Sequence, residues 1–369
     1  MSIKTFETRD SLKTKLKNRH LIFNESELES ALNTHNYFSL FNGLETIFLK
    51  STNPKDYNNI KLQDFLNLYD FDKNITSILS NCLDTVEEKL KASISYHFAA
   101  HHCASLNDTM QYTNKDNYMN PACAIPSDPC YCRYSASYPF KSAQNYKIYN
   151  DFNSFDLFNS DYLSKLISKY DHIDLSFYQD SNYIAPTNVA VYSDRRSGVN
   201  THVAVPFWVT IETLTFGQIL RLLHYLQDDV MDDVLSDFKL TLSKRNQFLN
   251  MMDVLLCLRN SCAHTTLINR FRTSERYQIN AQLVTAFNLS PKNNGSPISV
   301  LKLFDVIKIL SFFTDVSELK KPLRKLIIHN ILSMGPTKAN EINKRILDRM
   351  GNHSYSEWIK MLSGQKYLL

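Results

Sequence analysis

The chain has 369 residues, 43% of them hydrophobic and 21% charged, which is typical of a folded protein and excludes a disordered one. It contains only 7 glycines, where average usage predicts roughly 26, and it lacks both G-x-G-x-x-G and G-x-x-x-x-G-K, so the P-loop and dinucleotide-binding classes are excluded. A formal charge of +4 permits a nucleic-acid partner without requiring one.

Apolar periodicity predicts helices along most of the chain, because residues three and four positions apart share one face of a helix. The period is strongest over residues 66–100, and Thr215 with Gln218 fits a capping box. The predicted helices are two within residues 11–48, then 66–100, 161–170, 215–226, 247–264, 300–313, 322–334, 341–350 and 355–362. The scarcity of glycine also favours helices over tight turns, so the sequence predicts an all-α fold.

Residues 103–201 interrupt this pattern, and we predict a loop-rich insertion because residues 119–139 carry four prolines and no helical period. Its cysteines lack the paired C-x2–4-C spacing of zinc sites, so we expect free thiols and no metal, although zinc stays an alternative for Cys103, Cys123, Cys130 and Cys132 with His101 and His102. Its tyrosines could stack on bases, but packed aromatic residues are more usual; they are Tyr112, Tyr118, Tyr131, Tyr134 and Tyr138.

The sequence shows no targeting or membrane segment. The first twenty residues lack the apolar core of a signal peptide, and no run approaches the roughly 18 apolar residues of a membrane span. We therefore expect a cytoplasmic protein with no membrane partner and with mostly free cysteines.

Residues 258–264, LRNSCAH, end an otherwise apolar helix, and we call them the signature helix end. Arg259, Asn260 and His264 fall within six positions there, and two interpretations are open. As a cap, Arg and His complement the negative end of the helix dipole. As a phosphate site, the guanidinium fork matches phosphate oxygens, the imidazole moves a proton near neutral pH, and the amide orients either group.

The helical geometry places Arg259 and His264 about 140° apart around the axis, which is awkward for gripping one phosphate from a single protomer. Two copies related by a two-fold axis would bring two arginines and two histidines into one cleft. The spacing therefore suggests a composite site in a homodimer.

Four blocks of the sequence resemble a known family. Arg-Asn-x-x-x-His is similar to the R-x4–6-H signature of HEPN domains. HNYFSLFNG, LYDFDKNITSIL, PFWVTIETLTFG and LRNSCAH resemble, in the same order, segments of the Abi-like (AbiD/AbiF) branch of bacterial abortive-infection proteins. These blocks begin at residues 35, 68, 206 and 258.

The resemblance implies one HEPN-like helical domain over residues 1–369. Its parts would be N-terminal helices in 1–65, core helices in 66–102 and 202–270, the insertion in 103–201 and C-terminal helices in 271–369. It also implies cofactor-free, metal-independent cleavage of RNA in antiphage defence, akin to a toxin restrained by an antitoxin or a non-coding RNA.

The resemblance assigns roles to individual residues. His264 would act as general acid or base, Arg259 would stabilise charge on the phosphate, and Asn260 would orient either group. The family often has a second histidine and then an arginine after the signature, and here Arg270 is the nearest substitute. Lys91 replaces an arginine that is commoner in the family, and it keeps the charge but loses the bidentate fork.

Arg195 and Arg196 could touch the RNA backbone, but two adjacent arginines more often lie in a solvated loop.

Two further interpretations of the function stay open beside the ribonuclease. A non-catalytic RNA-binding or regulatory module with the same fold would keep the basic residues and lose the chemistry, and a helical scaffold would bind no RNA. We expect Trp208 and Phe216 to lie in the core.

Overall fold

The computed structural model describes residues 6–119, 152–169, 173–194, 198–264, 266–274, 279–291, 300–364, 367 and 369. Helices dominate these residues, which confirms the predicted all-α fold class. Within the described ranges the strands form two short antiparallel hairpins, β1 (Ser51–Thr52) with β2 (Lys55–Asp56) and β3 (Tyr192–Asp194) with β4 (Gly198–Asn200).

The α-helices of the described residues are numbered in chain order. The first seven are α1 (Arg9–Asn18), α2 (Glu25–Thr34), α3 (Glu45–Phe48), α4 (Leu62–His102), α5 (Ser160–Lys169), α6 (Phe207–Thr210) and α7 (Phe216–Tyr225). The next seven are α8 (Asp228–Asp237), α9 (Arg245–Ala263), α10 (Ala281–Ala286), α11 (Leu303–Leu310), α12 (Lys320–Met334), α13 (Pro336–Met350) and α14 (Tyr355–Leu362). A π-helical turn covers Phe38–Asn42, and a 3₁₀ turn covers Ile268–Arg270.

The chain groups into two compact units. The first comprises Met1–Leu83, Cys257–Thr273 and Leu301–Tyr367, and the second comprises Asp84–Leu256, Ser274–Val300 and Leu368–Leu369. The signature helix end therefore belongs to the first unit, together with α1–α3 and α11–α14.

An aromatic cluster forms part of the core of the first unit. The Phe65 ring of α4 packs against the rings of Phe41, Phe48 and Tyr57, with centroid distances of 5.3, 4.5 and 5.4 Å.

In the same unit α12 and α13 are joined at Gly335, whose φ of +75° is a conformation that favours glycine. Pro336 then starts α13 at a position where no backbone N–H is needed.

The second unit has an aromatic core that includes part of the insertion. Tyr112 is fully buried, stacks on Phe207 and donates its hydroxyl hydrogen to the carbonyl of Val205 at 2.9 Å. Tyr118 is 5% exposed and stacks on Phe98. The packed interpretation is therefore confirmed for these two tyrosines, and the base-stacking alternative does not apply to them because protein covers their rings. Tyr131, Tyr134 and Tyr138 lie outside the described residues.

Several predicted elements are confirmed and others differ. The capping box of Thr215 and Gln218 starts α7, and α14 has the predicted bounds. The apolar period missed α8, α10 and both hairpins, because short amphipathic or acidic segments carry little periodic signal. Phe216 is buried as expected, whereas Trp208 is 59% exposed, so its core assignment is wrong. Among the described residues, none of the helices is long and apolar enough to cross a membrane.

Candidate functional site at the end of helix α9

Helix α9 has one face that is buried throughout. Phe248, Met252 and Leu255 are fully buried, and Cys262 is 9% exposed, as the helical spacing predicts. Residues 253, 257, 260 and 264, spaced four, three and four positions apart, form a second stripe, and its burial changes along the helix. Asp253 is fully buried beside His224, 4.0 Å away, whereas Asn260 and His264 are exposed. Asp253 therefore belongs to the packing of the second unit, and the exposed part of the stripe begins near Cys257.

The three signature side chains lie at the surface where α9 ends. Arg259 is half-buried, Asn260 and His264 are exposed, and the backbone N–H of His264 donates to the carbonyl of Asn260 at 3.1 Å. Within the described part of the chain, none of the three side chains forms a hydrogen bond or an ion pair. A hydrogen-bonded cap is therefore absent from the described residues, and Asn260 and His264 expose their polar groups.

A buried carboxylate fixes the chain directly after the signature helix end. Asp72 of α4 is 1% exposed and accepts hydrogen bonds from the backbone N–H of Ile268 at 2.9 Å and of Asn269 at 2.7 Å. It also accepts one from the Asn269 side chain at 2.6 Å. Burial raises the pKa of Asp72, although these donors lower it in part. The carboxylate thus anchors residues four and five positions beyond His264.

Gly43 allows the same segment to approach closely. A Cβ atom built on Gly43 would lie 2.3 Å from Leu267 Cδ1 and 2.5 Å from the backbone oxygen of Ser39, so any larger residue would displace the chain. Gly43, Asp72 and the signature helix end come from three separate sequence blocks. The first unit brings these blocks, which are far apart in the sequence, together around residues 267–269.

Two arginines lie beside this anchor. Arg270 ends the 3₁₀ turn and is exposed, and Arg349 of α13 donates from Nη2 to the carbonyl of Gly43 at 2.9 Å. Burial, and then the charge of Arg270, lowers the pKa of Arg349 to about 10, while Asp72 opposes this effect. Sequence reasoning named Arg270 but missed Arg349, which lies about 80 residues beyond the last motif block and carries no local signal.

The other predicted RNA contacts are Lys91, Arg195 and Arg196. Lys91 belongs to the second unit, where its side chain is 11% exposed and pairs with Glu87 at 3.2 Å and Glu212 at 3.4 Å. Its charge is therefore balanced by carboxylates of its own unit. Arg195 and Arg196 lie outside the described residues.

The described part of the chain contains no group of three or more His, Cys, Asp and Glu side chains arranged to hold a metal ion. Of the zinc candidates, His101 contacts Asp233 at 2.7 Å and Asp229 at 3.5 Å. Burial raises the pKa of the Cys103 thiol to about 11, which disfavours the thiolate that zinc binds. Cys123, Cys130 and Cys132 lie outside the described residues.

Comparison with known proteins gives one result. No curated protein and no solved structure matches the chain significantly. The protein family described as Abi-like protein matches residues 30–269, which is more than half of the chain and includes all four motif blocks. This family points to defence by abortive infection. The chain belongs to the Abi-like protein family.

Proposed function

We propose that this protein is a metal-independent HEPN-type endoribonuclease that cleaves RNA during abortive infection. The observation that carries the proposal is the state of Arg259, Asn260 and His264. These three side chains reach the surface without a partner among the described residues, while the buried carboxylate of Asp72 holds residues 268 and 269 directly after them. A polar group left unpaired beside a firmly anchored segment is available for a ligand.

The chemistry follows from the donors available. The 2′-hydroxyl oxygen of a ribose attacks the adjacent phosphorus, and the bond from phosphorus to the 5′-oxygen of the next nucleotide breaks. His264 takes the hydroxyl proton or gives one to the departing oxygen, a role worth roughly 10²–10⁴-fold in rate. Arg259 neutralises charge that develops on the phosphate oxygens, and Asn260 orients the histidine or the phosphate. The products are a 2′,3′-cyclic phosphate and a 5′-hydroxyl.

The site needs two copies of the chain. Arg259 and His264 stand about 140° apart on one helix end, so each protomer alone presents them to different sides. In a homodimer with a two-fold axis, the arginine of one protomer and the histidine of the other can meet at one phosphodiester. The chain, as a growth-arresting toxin, would then require restraint by an antitoxin protein or a non-coding RNA.

The test uses purified protein and RNA in EDTA. Wild type is expected to cleave single-stranded RNA into fragments with cyclic phosphate ends, and RNA carrying a 2′-deoxyribose at the cleavage position is expected to resist. Arg259→Ala and His264→Ala should each lose cleavage by about 10²-fold or more while keeping the thermal midpoint of wild type. Arg324→Ala is the matched control, because Arg324 is exposed on α12 and has no described partner.

Two results would contradict the proposal. Cleavage that survives His264→Ala would place the chemistry elsewhere. RNA binding without cleavage by wild type would favour the non-catalytic RNA-binding module, and an absence of salt-dependent RNA affinity would favour a scaffold.

A further inference from the structure

Arg270 and Arg349, which we call the guanidinium pair, stand together in the first unit beyond the signature helix end. Helix α13 packs against the 3₁₀ turn Ile268–Arg270, and the charge of Arg270 reaches Arg349 strongly enough to lower the pKa of Arg349. The hydrogen bond that Arg349 donates to the Gly43 carbonyl fixes the position of its guanidinium group. Arg270 is exposed and its side chain has no described partner.

The charges around the guanidinium pair do not balance. An arginine side chain carries a positive charge at neutral pH, and the pKa of Arg349 stays above this range although it is lowered to about 10. The carboxylate that acts on Arg349 is that of Asp72, and its oxygens already accept three N–H groups from residues 268 and 269. One donor of Arg349, Nη1, is buried without a hydrogen-bond partner. Two like charges held together with one committed carboxylate cost free energy unless an anion joins them.

We propose that the guanidinium pair binds a second phosphate of the substrate RNA, next to the one that is cleaved, with Arg270 in contact and Arg349 supplying charge from behind. The proposal rests on the ribonuclease function above and adds a role for α13, which lies outside the matched residues 30–269. A phosphodiester fits this position because it carries one negative charge. Its two non-bridging oxygens can accept two hydrogen bonds from one guanidinium group. Because Asp72 holds residues 268 and 269, it fixes the position of Arg270 relative to His264. A phosphate bound at Arg270 would therefore determine which phosphodiester of the RNA lies at His264.

The role is one of positioning, and it predicts a particular kinetic signature. Removing a contact made equally in the ground state and the transition state raises KM and leaves kcat unchanged. Arg270→Met and Arg349→Met are therefore each expected to raise KM about tenfold with kcat within about twofold of wild type. Arg270→Lys keeps the charge and should recover part of the loss. Lys344→Met on the exposed side of α13 is the matched control, with KM unchanged.

The binding test separates this inference from the proposed function. In the His264→Ala background, which binds without cleaving, affinity for a random-sequence 15-nucleotide RNA is measured by fluorescence anisotropy between 50 and 300 mM salt. Adding Arg270→Met should weaken binding about tenfold and reduce the slope of log K against log salt by about 0.7, the value for one phosphate contact on a single strand. Because Arg270 is exposed, this variant tests the idea even if Arg349→Met does not fold.

The outcomes point in different directions. If the His264→Ala parent shows no salt-dependent affinity for RNA, the ribonuclease proposal itself fails. If the parent binds and Arg270→Met keeps both its affinity and its slope, the guanidinium-pair site is overturned and the nuclease stands. If inorganic phosphate raises the thermal midpoint of wild type but not of Arg270→Met, while RNA affinity is unchanged, the pair holds a free anion rather than the RNA backbone, which also overturns the proposal.

Discussion

The two ends of helix α9 carry similar residues in opposite situations. At its start, Arg245 is 4% exposed and donates to the carbonyls of Leu223, His224 and Leu226, where α7 ends, at 3.4, 3.2 and 2.8 Å. It also pairs with Asp228 at 3.3 Å. At the other end, Arg259 is half-buried, and neither it nor His264 engages a described residue through its side chain.

The difference separates structure from function within one helix. Arg245 satisfies carbonyls that the last turn of α7 leaves without partners, so it contributes to stability. Arg259 makes no comparable contact with the described residues, so its guanidinium group is available to bind a ligand. The same contrast holds for the histidines: His224 is fully buried beside Asp253, whereas His264 is exposed. Residue type alone does not separate the structural arginine and histidine from the candidate site residues, but their hydrogen-bond and ion-pair partners do.

The largest expected effect tests the arginines directly. Arg245→Met should lower the free energy of unfolding by about 3 kcal/mol, because it leaves several buried carbonyls unpaired and Asp228 without its cation. Arg259→Met should change it by less than about 0.5 kcal/mol. Urea unfolding followed by circular dichroism measures both. Equal losses in the two variants would show that Arg259 is as important for stability as Arg245, which contradicts the distinction between them.

The next effect concerns the anchor of the signature helix end. Asp72→Ala should destabilise the protein by about 2 kcal/mol, because three N–H donors in residues 268 and 269 lose their acceptor. Removal of a buried charge offsets part of this loss in stability. Asp70→Ala, an exposed neighbour on α4, serves as the control with little change. Similar thermal midpoints for both variants would mean that Asp72 does not hold the segment.

A smaller effect distinguishes charge from geometry at Arg259. Arg259→Lys keeps the positive charge but loses the planar fork, so we expect RNA cleavage to fall about tenfold, or about 1.4 kcal/mol in barrier height, with unchanged stability. Single-turnover cleavage rates provide the measurement. A lysine variant as active as wild type would show that a point charge suffices and that bidentate contact with the phosphate plays no part.

The smallest effect is a pH dependence from the buried histidine. Burial lowers the pKa of His224, and the neighbouring Asp253 only partly opposes this. Below about pH 6.5 the unfolded chain takes up a proton that the folded chain refuses, so stability falls as pH decreases toward the folded pKa and is constant above about pH 6.5. His224→Gln should flatten this part of the curve of urea midpoint against pH between 5 and 8. An unchanged slope in this variant would contradict the assignment.

The sequence predicts much of this molecule and misses its long-range parts for a physical reason. Periodicity found most helices, and the capping hydroxyl of Thr215 marks the start of α7, because both signals are local. The motif spacing also found Arg259, Asn260 and His264, whose roles stay a prediction. Asp72 accepts hydrogen bonds from residues 196 and 197 positions away, and no local sequence pattern predicts such contacts. The motif block that begins at residue 68 marked Asp72 itself but not its partners. The position of Arg349 beside Arg270 depends on how α13 packs, which no spacing in the sequence encodes.

The most direct test of the central claim is complementation between two inactive variants. Arg259→Ala and His264→Ala proteins are unfolded together, mixed in equal amounts and refolded so that protomers exchange, and RNA cleavage is measured in EDTA. If the arginine of one protomer acts with the histidine of the other, half of the dimers are mixed and one of their two sites is intact, so activity should recover to about a quarter of wild type. If the mixture stays as inactive as each variant alone, while size analysis shows mixed dimers, the two side chains do not meet across a two-fold axis and the composite site is contradicted.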